Sequence, residues 1–287
     1  MSGTLNSVNT NTGAMIALDA LDATNSQLNG VQKQISTGYR VADATDDGAA
    51  YAVAQSVRSS VSALTTANQQ LGSTQGLLST TSSALNDISN LMSSMRDVLV
   101  NLASSATSGN ERTQYQSQYS SLLANVKSDV QDADYNGQTL IGNITGSSGT
   151  FSGIAVVRNE VGSTYGIATF GGSTVFTSLS FTSTQLGGAS TVASLITATG
   201  TFINQFNSVS SAMNNYGSAT NYVNNQVSYN NDKVSALDTG LGSLVDANLA
   251  QESALLQALQ IKQQLGTQSL TLATQTPQLL LTLVKNA

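Results

Sequence analysis

Residues 192–244 read VASLITATGTFINQFNSVSSAMNNYGSATNYVNNQVSYNNDKVSALDTGLGSL and decide the fold. Apolar or small residues recur along this stretch at alternating spacings of three and four. Such an alternation averages about 3.5 residues per turn, which keeps one stripe of side chains facing a partner helix. At about 1.5 Å per residue, the helix would be about 80 Å long. No compact core needs such a helix, so the stretch predicts an elongated helical rod with at least one partner helix.

A second long seam, from about residue 49 to 106, is the predicted partner. The two stretches are similar in length, which favours antiparallel packing, and a shorter helix after a turn at 107–110 brings the rod to three helices. The expected rod core combines a ladder of leucines from the first seam with apolar positions of the second: Leu64, Leu71, Leu78, Leu85, Phe202, Phe206, Val209, Val223, Val227, Leu237 and Leu241.

Both chain ends carry narrower apolar stripes. The N-terminal helix is expected over residues 5–35, and the C-terminal segment, predicted to pair with it, should kink or end at Pro277. Narrow stripes bury too little area to offset chain entropy, so we expect these segments to order only when packed against each other and against copies. The predicted self-assembly stripes comprise Ala14, Ala17, Leu21, Leu28, Val31, Leu255, Ala258, Ile261, Leu265, Leu272 and Leu279.

Two intervening segments lack the helical repeat. Residues 36–49 form a predicted connector, in which Thr45 or Asp46 is expected to cap the next helix. Residues 135–190 are rich in glycine, with short β-branched and aromatic runs at 154–157, 165–170 and 174–181. These runs predict hairpin strands, and hence a small β region on a mainly α chain.

Composition excludes several classes of function. The chain has no histidine or cysteine, so Ser-His-Asp triads, thiolate chemistry and disulfides are unavailable, and we expect no cofactor. A net charge of −6 with only 9% charged residues argues against a nucleic-acid partner. The sequence has no apolar run of about 18 residues, the length that a membrane span needs. The first basic residue is Lys33, so no secretory signal peptide is expected.

Two acidic patterns resemble parts of known sites. Residues 132–137 match the first half of a calcium loop, but its last ligand position holds Asn143 instead of glutamate. We therefore interpret them as a helix end followed by an Asn-Gly turn. Asp46 and Asp47 are adjacent in sequence and have no second acidic partner, so helix capping is favoured over glycosidase chemistry. The sequence thus predicts no metal site and no catalytic residues.

Several motifs resemble bacterial flagellin, especially the short flagellins of alphaproteobacteria. They are ISTGYRVADATDDGAAY at 35–51, YNGQTL at 135–140, LVDANLAQESA at 244–254 and QIKQQLGTQ at 260–268. The resemblance covers about residues 1–140 and 195–287 and leaves the middle unmatched. Long motifs near both ends, in the family's order, make it specific.

The resemblance implies a non-enzymatic subunit that stacks into a hollow helical filament outside the cell. Residues 1–35 and 245–287 would form the paired helices of the inner tube, D0. Residues 36–140 and 191–244 would form the D1 rod, and 141–190 a small β region on its outer side. The implied partners are identical subunits, a type III export apparatus that passes unfolded chains, an export chaperone, the filament cap and the hook-junction proteins.

Other functions remain possible at this point. A hook–filament junction protein shares the end helices. An enzyme housed in 135–190 would need catalytic groups that the sequence does not supply. A coiled-coil adhesin or secreted effector would not need self-complementary ends, so concentration-dependent polymerisation separates it from a filament subunit.

Overall fold

The computed structural model describes the backbone of residues 10–285 and the side chains of residues 10–275. The described chain is mainly α, as predicted. Five helices carry most of it: α1 Thr12–Thr37, α2 Gly48–Ala103, α3 Gly109–Asp132, α7 Thr201–Val245 and α8 Leu249–Lys285. The middle holds β1 Gln138–Thr139, β2 Thr150–Phe151, β3 Ile154–Val157 and β4 Thr164–Ile167, then the short helices α4 Gly172–Leu179, α5 Ser183–Gly187 and α6 Ala189–Leu195.

The chain divides into two compact units. The terminal unit comprises Met1–Ser59 and Ala236–Ala287, and the central unit comprises Ser60–Ser235. Each has apolar clusters of its own.

An antiparallel helix pair forms the spine of the central unit. Asn68 of α2 donates a hydrogen bond to Asn231 of α7 over 2.8 Å, and Gln75 donates to Asn224 over 2.7 Å. Partner numbers rise on one helix as they fall on the other, so the helices run in opposite directions. The predicted leucine ladder faces inward along this pair, with Leu64, Leu71, Leu78 and Leu85 fully buried.

The third helix of the central unit begins at a capping box. The Ser108 side chain accepts from the Glu111 backbone N–H, and the Glu111 carboxylate accepts from the Ser108 N–H. These two bonds satisfy orphan donors at the start of α3 and lower the pKa of Glu111. Tyr119 then projects from α3 into the core, where its hydroxyl donates to the Leu179 carbonyl over 2.8 Å.

The β region is smaller than predicted. β3 and β4 form the expected antiparallel hairpin, with Val157 opposite Thr164, and β1 and β2 form a short parallel pair. The strand predicted at 174–181 is wrong, because most of it lies in α4. Val175 and Leu179, four residues apart, are both buried there, so the apolar spacing suits a helix turned toward the core.

The long C-terminal repeat is also interrupted. The helix predicted over 192–244 begins at Thr201, and Val192 and Leu195 belong to the separate helix α6. Gly200 marks the break, since a β-carbon there would overlap the Leu195 carbonyl. The last helix, α8, continues past Pro277 to Lys285, so of the two effects predicted for this proline, a kink or the end of the helix, the end is wrong.

Candidate assembly surface

The terminal unit is built on antiparallel pairing of α1 with α8. The Asn11 side chain caps α1 and also donates from Nδ2 to the Ala273 carbonyl over 2.7 Å. At the middle of α1, Gln263 Nε2 donates to Asn25 Oδ1, also over 2.7 Å. The start of α1 therefore lies beside the later part of α8, and two hydrogen bonds from amide side chains fix the alignment.

The inner face of α1 is the stripe expected from the sequence. Thr24, Leu28 and Val31 are buried, and the other members of the stripe are half-buried: Ala14, Ala17, Leu21 and Ile35. Leu28 and Val31 pack against Leu259 of α8. Small side chains at the first two positions leave little area to bury, in keeping with a weakly self-sufficient pair.

The inner face of α8 differs from the stripe identified in the sequence. The positions turned toward α1 are Leu256, Leu259, Gln263, Gly266 and Leu270, of which Leu259 is buried and the others half-buried. The predicted pairing of the C-terminal segment with the N-terminal helix is confirmed, but the residues that meet α1 are not those of the stripe beginning at Leu255. The helix carries two apolar faces. The face that packs against α1 contains Gly266 and Gln263, which a search for apolar residues alone does not include.

The predicted α8 stripe forms a separate, exposed face, which we call the outer face: Leu255, Ala258, Ile261, Leu265 and Leu272. Exposed fractions reach 57% for Leu265, 59% for Ile261 and 67% for Leu272. Leu279 lies outside the residues whose side chains are described. Large apolar side chains in a row on one helix face mark an interaction surface.

Three exposed residues of α1 were missed in the sequence. Met15, Ile16 and Leu18 are 59%, 69% and 46% exposed. They lie off the main stripe, and only their clustering within one turn of helix could have indicated them. Together with the outer face of α8, they give the terminal unit more exposed apolar side chains than its own pairing uses.

A connector links α1 to α2 and is held against the junction between α7 and α8. Gly38 ends α1 with φ 75°, a left-handed conformation that favours glycine. Its carbonyl accepts from the Ala247 N–H over 2.9 Å, and the Arg40 N–H donates to the Val245 carbonyl over 2.7 Å. The cap of α2 is Asp47, which accepts from Ala49 and Ala50, rather than the predicted Thr45 or Asp46.

Ion pairing organises the same connector. Lys33 of α1 contacts Asp43 over 2.7 Å and Asp46 over 2.8 Å. Hydrogen bonding to Lys33 is the main reason that the pKa values of both carboxyls lie below their usual range, and the two carboxylates raise the pKa of Lys33. The connector is thus fastened to α1 by charges and to the junction of α7 with α8 by backbone bonds.

Most of the predicted rod core lies together in the central unit. Phe202, Val209 and Val223 are buried with the leucine ladder, while Phe206 and Val227 are half-buried against it. Leu237 and Leu241 fall in the terminal unit instead, where Leu241 packs against Val41, Ala54 and Val245. The expected core is therefore shared between two clusters.

The described residues contain neither a helix long and apolar enough to cross a membrane nor a group of three or more potential acidic, histidine or cysteine ligands for a metal. The exposed apolar faces are the feature of the terminal unit that remains to be explained.

Comparisons with known proteins match nearly the whole chain. The family described as bacterial flagellin N-terminal helical region matches residues 8–145, and that described as bacterial flagellin C-terminal helical region matches residues 196–284. Flagellin FljK of Caulobacter vibrioides is 32% identical, with 98% of this chain and 99% of that protein covered. A flagellin of Brucella melitensis is 31% identical, with 97% and 99% covered.

The fold resembles a solved structure. A putative flagellar hook-associated protein from Vibrio parahaemolyticus aligns with a TM-score of 0.55 and 17% identity, covering 70% of this chain and all of that one. At this identity the likeness concerns the fold alone.

Proposed function

Because the chain belongs to the bacterial flagellin family, it is a structural subunit of the flagellar filament, and we propose that its terminal helices gain their order by packing against copies of themselves. The observation that carries this proposal is the outer face of α8, whose leucines and isoleucine are 44% to 67% exposed in the single chain. Full burial of such a side chain is worth about 1.5–3 kcal/mol, and burial of the exposed part of each contributes roughly half of that, which is large against the stability of a marginal helix pair.

A contact between the outer face of α8 on one subunit and α1 of another would make growth of the polymer open-ended. The outer face of α8 differs in sequence from the exposed residues Met15, Ile16 and Leu18 of α1. A contact between unlike surfaces of two copies is heterologous, and it adds subunits indefinitely unless the rotation closes a ring. We take this as the origin of a helical polymer.

In the filament, residues 1–35 and 245–287 would form the inner D0 tube, and residues 36–140 and 191–244 the D1 rod around it. Residues 141–190 would lie on the outer side. The division is supported by the change at 246–248, where α7 ends and α8 begins. It is also supported by the connector bonds that join Gly38 and Arg40 to this break.

Export as an unfolded chain is part of the same proposal. We expect a type III export apparatus and an export chaperone to deliver the subunit, and the filament cap and hook-junction proteins to flank the polymer outside the cell. The complete lack of cysteine suits such a route, since no disulfide has to form before or after passage. Nothing observed favours a hook–filament junction role over that of filament subunit.

The proposal is tested by truncation. Deletion of residues 1–32 or of residues 250–287 should leave a folded central unit that stays monomeric when filament seeds are added. Far-UV circular dichroism checks the fold, and electron microscopy after seeding checks assembly. Filaments formed by either truncated chain would refute the proposal.

A sharper variant keeps the chain complete. Replacing Ile261 and Leu265 together by serine removes apolar area from the outer face and leaves the α1-facing residues untouched. We expect the critical concentration for seeded assembly to rise at least about tenfold, since loss of two buried side chains costs several kcal/mol. The matched control exchanges Gln260 and Gln264, exposed neighbours on the same helix, for serine, and should assemble much more readily than the Ile261/Leu265 double variant.

A further inference from the structure

Asn230 is a fully buried amide in the otherwise largely apolar seam between α2 and α7. Its Nδ2 donates to Asn68 Oδ1 over 2.8 Å and to the Arg158 carbonyl over 3.0 Å, and its Oδ1 accepts from Gln226 over 2.9 Å. Both donors and the acceptor are therefore used. The side chain joins α7 to α2 and to the residue that follows β3.

The buried threonines of residues 10–275 bond locally. Thr24, Thr74 and Thr81 each donate to the backbone carbonyl four residues earlier in their own helix. Thr139 accepts from the backbone of its own turn. Among the buried threonine and asparagine side chains of residues 10–275, Asn230 alone bonds to a different helix.

The leucine ladder and the flanking amide pairs do not by themselves define a unique alignment. Leucine occupies the same heptad position four times in succession, at Leu64, Leu71, Leu78 and Leu85. The two flanking amide pairs, Asn68 with Asn231 and Gln75 with Asn224, are also seven residues apart on each helix. A displacement of one heptad, about 10 Å, would again set leucine against the seam and re-form one amide pair.

Asn230 removes this degeneracy. A one-heptad shift brings either Val61 or Gln75 opposite it in place of Asn68. A shift of α7 past both α2 and the β hairpin also loses the Arg158 carbonyl, together with the bond from Arg158 Nη1 to the Tyr222 hydroxyl and the ion pair of Glu160 with Lys233. A buried amide that loses its hydrogen-bond partners raises the free energy of the shifted alignment. Leucine at position 230 would have no such partners to lose, so the shifted and observed alignments would differ less in free energy. We propose that Asn230 specifies the register in which α7 packs against α2, as single buried asparagines do in coiled coils.

Engineered cysteines can read the register, because the chain has none of its own. Gln75→Cys with Asn224→Cys reports the observed alignment. Gln75→Cys with Gly217→Cys, or with Asn231→Cys, reports a shift of one heptad in either direction. Each pair is placed in the full-length chain, isolated as a monomer by size exclusion, and oxidised at a concentration that excludes cross-links between chains.

With Asn230 present, we expect only the Gln75/Asn224 pair to cross-link. In Asn230→Leu, and in the double variant Asn68→Leu/Asn230→Leu, the shifted pairs should cross-link at least about tenfold more than in the parent. Thr81→Val is the matched control, since it removes a buried hydroxyl that bonds only within its helix, and it should keep the single alignment.

Two results would overturn the proposal. One is cross-linking confined to the observed alignment in both leucine variants while their helical circular dichroism is retained. The other is failure of both leucine variants to fold. If Asn230 specifies the register and is not needed for the helices to associate, its replacement by leucine must leave the helices intact.

Discussion

Gly266 of α8 lies against Leu21 of α1, and a β-carbon built on the glycine would come within 3.3 Å of the leucine Cδ1 atom. The two helices approach closely here because one of them lacks a side chain. Close approach lets the half-buried alanines near the start of α1 take part in the pairing, and it leaves the larger apolar residues of α8 on the outer face.

Substitutions at Gly266 should therefore depend on size. Gly266→Leu overpacks the α1–α8 contact by about 1–3 kcal/mol, and we expect the critical concentration for seeded assembly to rise about tenfold. Gly266→Ala is the control at the same site, because it asks Leu21 to move only slightly and gains about 1 kcal/mol of helix propensity. Equal assembly by the leucine and alanine variants would show that the close approach is unimportant.

The leucine ladder of α2 should dominate the stability of the central unit. Leu78 is fully buried, so Leu78→Ala should lower the free energy of unfolding by about 2–5 kcal/mol. Val100, on the same helix, is 52% exposed, and Val100→Ala should change it by less than about 0.5 kcal/mol. Urea unfolding followed by circular dichroism measures both. Similar losses in the two variants would contradict the assignment of the core.

Tyr119 should contribute through its hydroxyl as well as its ring. The hydroxyl donates to the Leu179 carbonyl in a buried site, and burial raises the pKa of this phenol, so it stays a donor at all ordinary pH values. Tyr119→Phe removes one of the two hydrogen bonds to that carbonyl, which still accepts from the Phe181 N–H, and should cost about 0.5–1.5 kcal/mol in urea unfolding. Tyr229→Phe, at a 60% exposed position, is the control and should be close to neutral.

The connector should weaken in acid. Asp43 and Asp46 have pKa values below the ordinary 3.8, so their contribution is complete above that value and is lost as the pH falls through the lowered pKa values. The pKa of Lys33 is raised from 10.5, so its share is complete below 10.5 and is lost at higher pH. The pairing should therefore be strongest between about pH 4 and 10.

Carbon NMR titration of the two carboxyls checks this account. In Lys33→Met, the pKa values of Asp43 and Asp46 should rise toward the ordinary value, because the main hydrogen-bond donor is gone. Lys262→Met removes a lysine outside the connector and should leave both titrations unchanged. Unaltered carboxyl titrations in Lys33→Met would mean that other contacts hold the two groups ionised.

Seven-residue periodicity predicted the central seam well. Every leucine of the α2 ladder is buried, because a long helix with one strong apolar stripe packs that stripe against its partner. The N-terminal stripe was predictable for the same reason. Glycine-rich spacing and β-branched runs likewise indicated the β3–β4 hairpin.

The faces of α8 could not be predicted in this way. Leu255 and Leu256 are adjacent, so two apolar stripes run along one helix, and hydrophobicity alone does not say which of them meets α1. Gly266 and Gln263 decide the pairing through close approach and an amide bond to Asn25, and both depend on the partner helix. The start of α7 at Thr201 likewise depends on a steric contact between Gly200 and Leu195.

Hydrogen–deuterium exchange of α8, compared between isolated subunits and assembled filaments, tests the central claim most directly. We predict that amides between Leu255 and Leu272 exchange rapidly in the monomer and become at least about a hundredfold slower in the filament, while those of the α2 ladder are protected in both. Equal protection of α8 in the two states would contradict the claim that the chain ends become ordered by packing against other subunits.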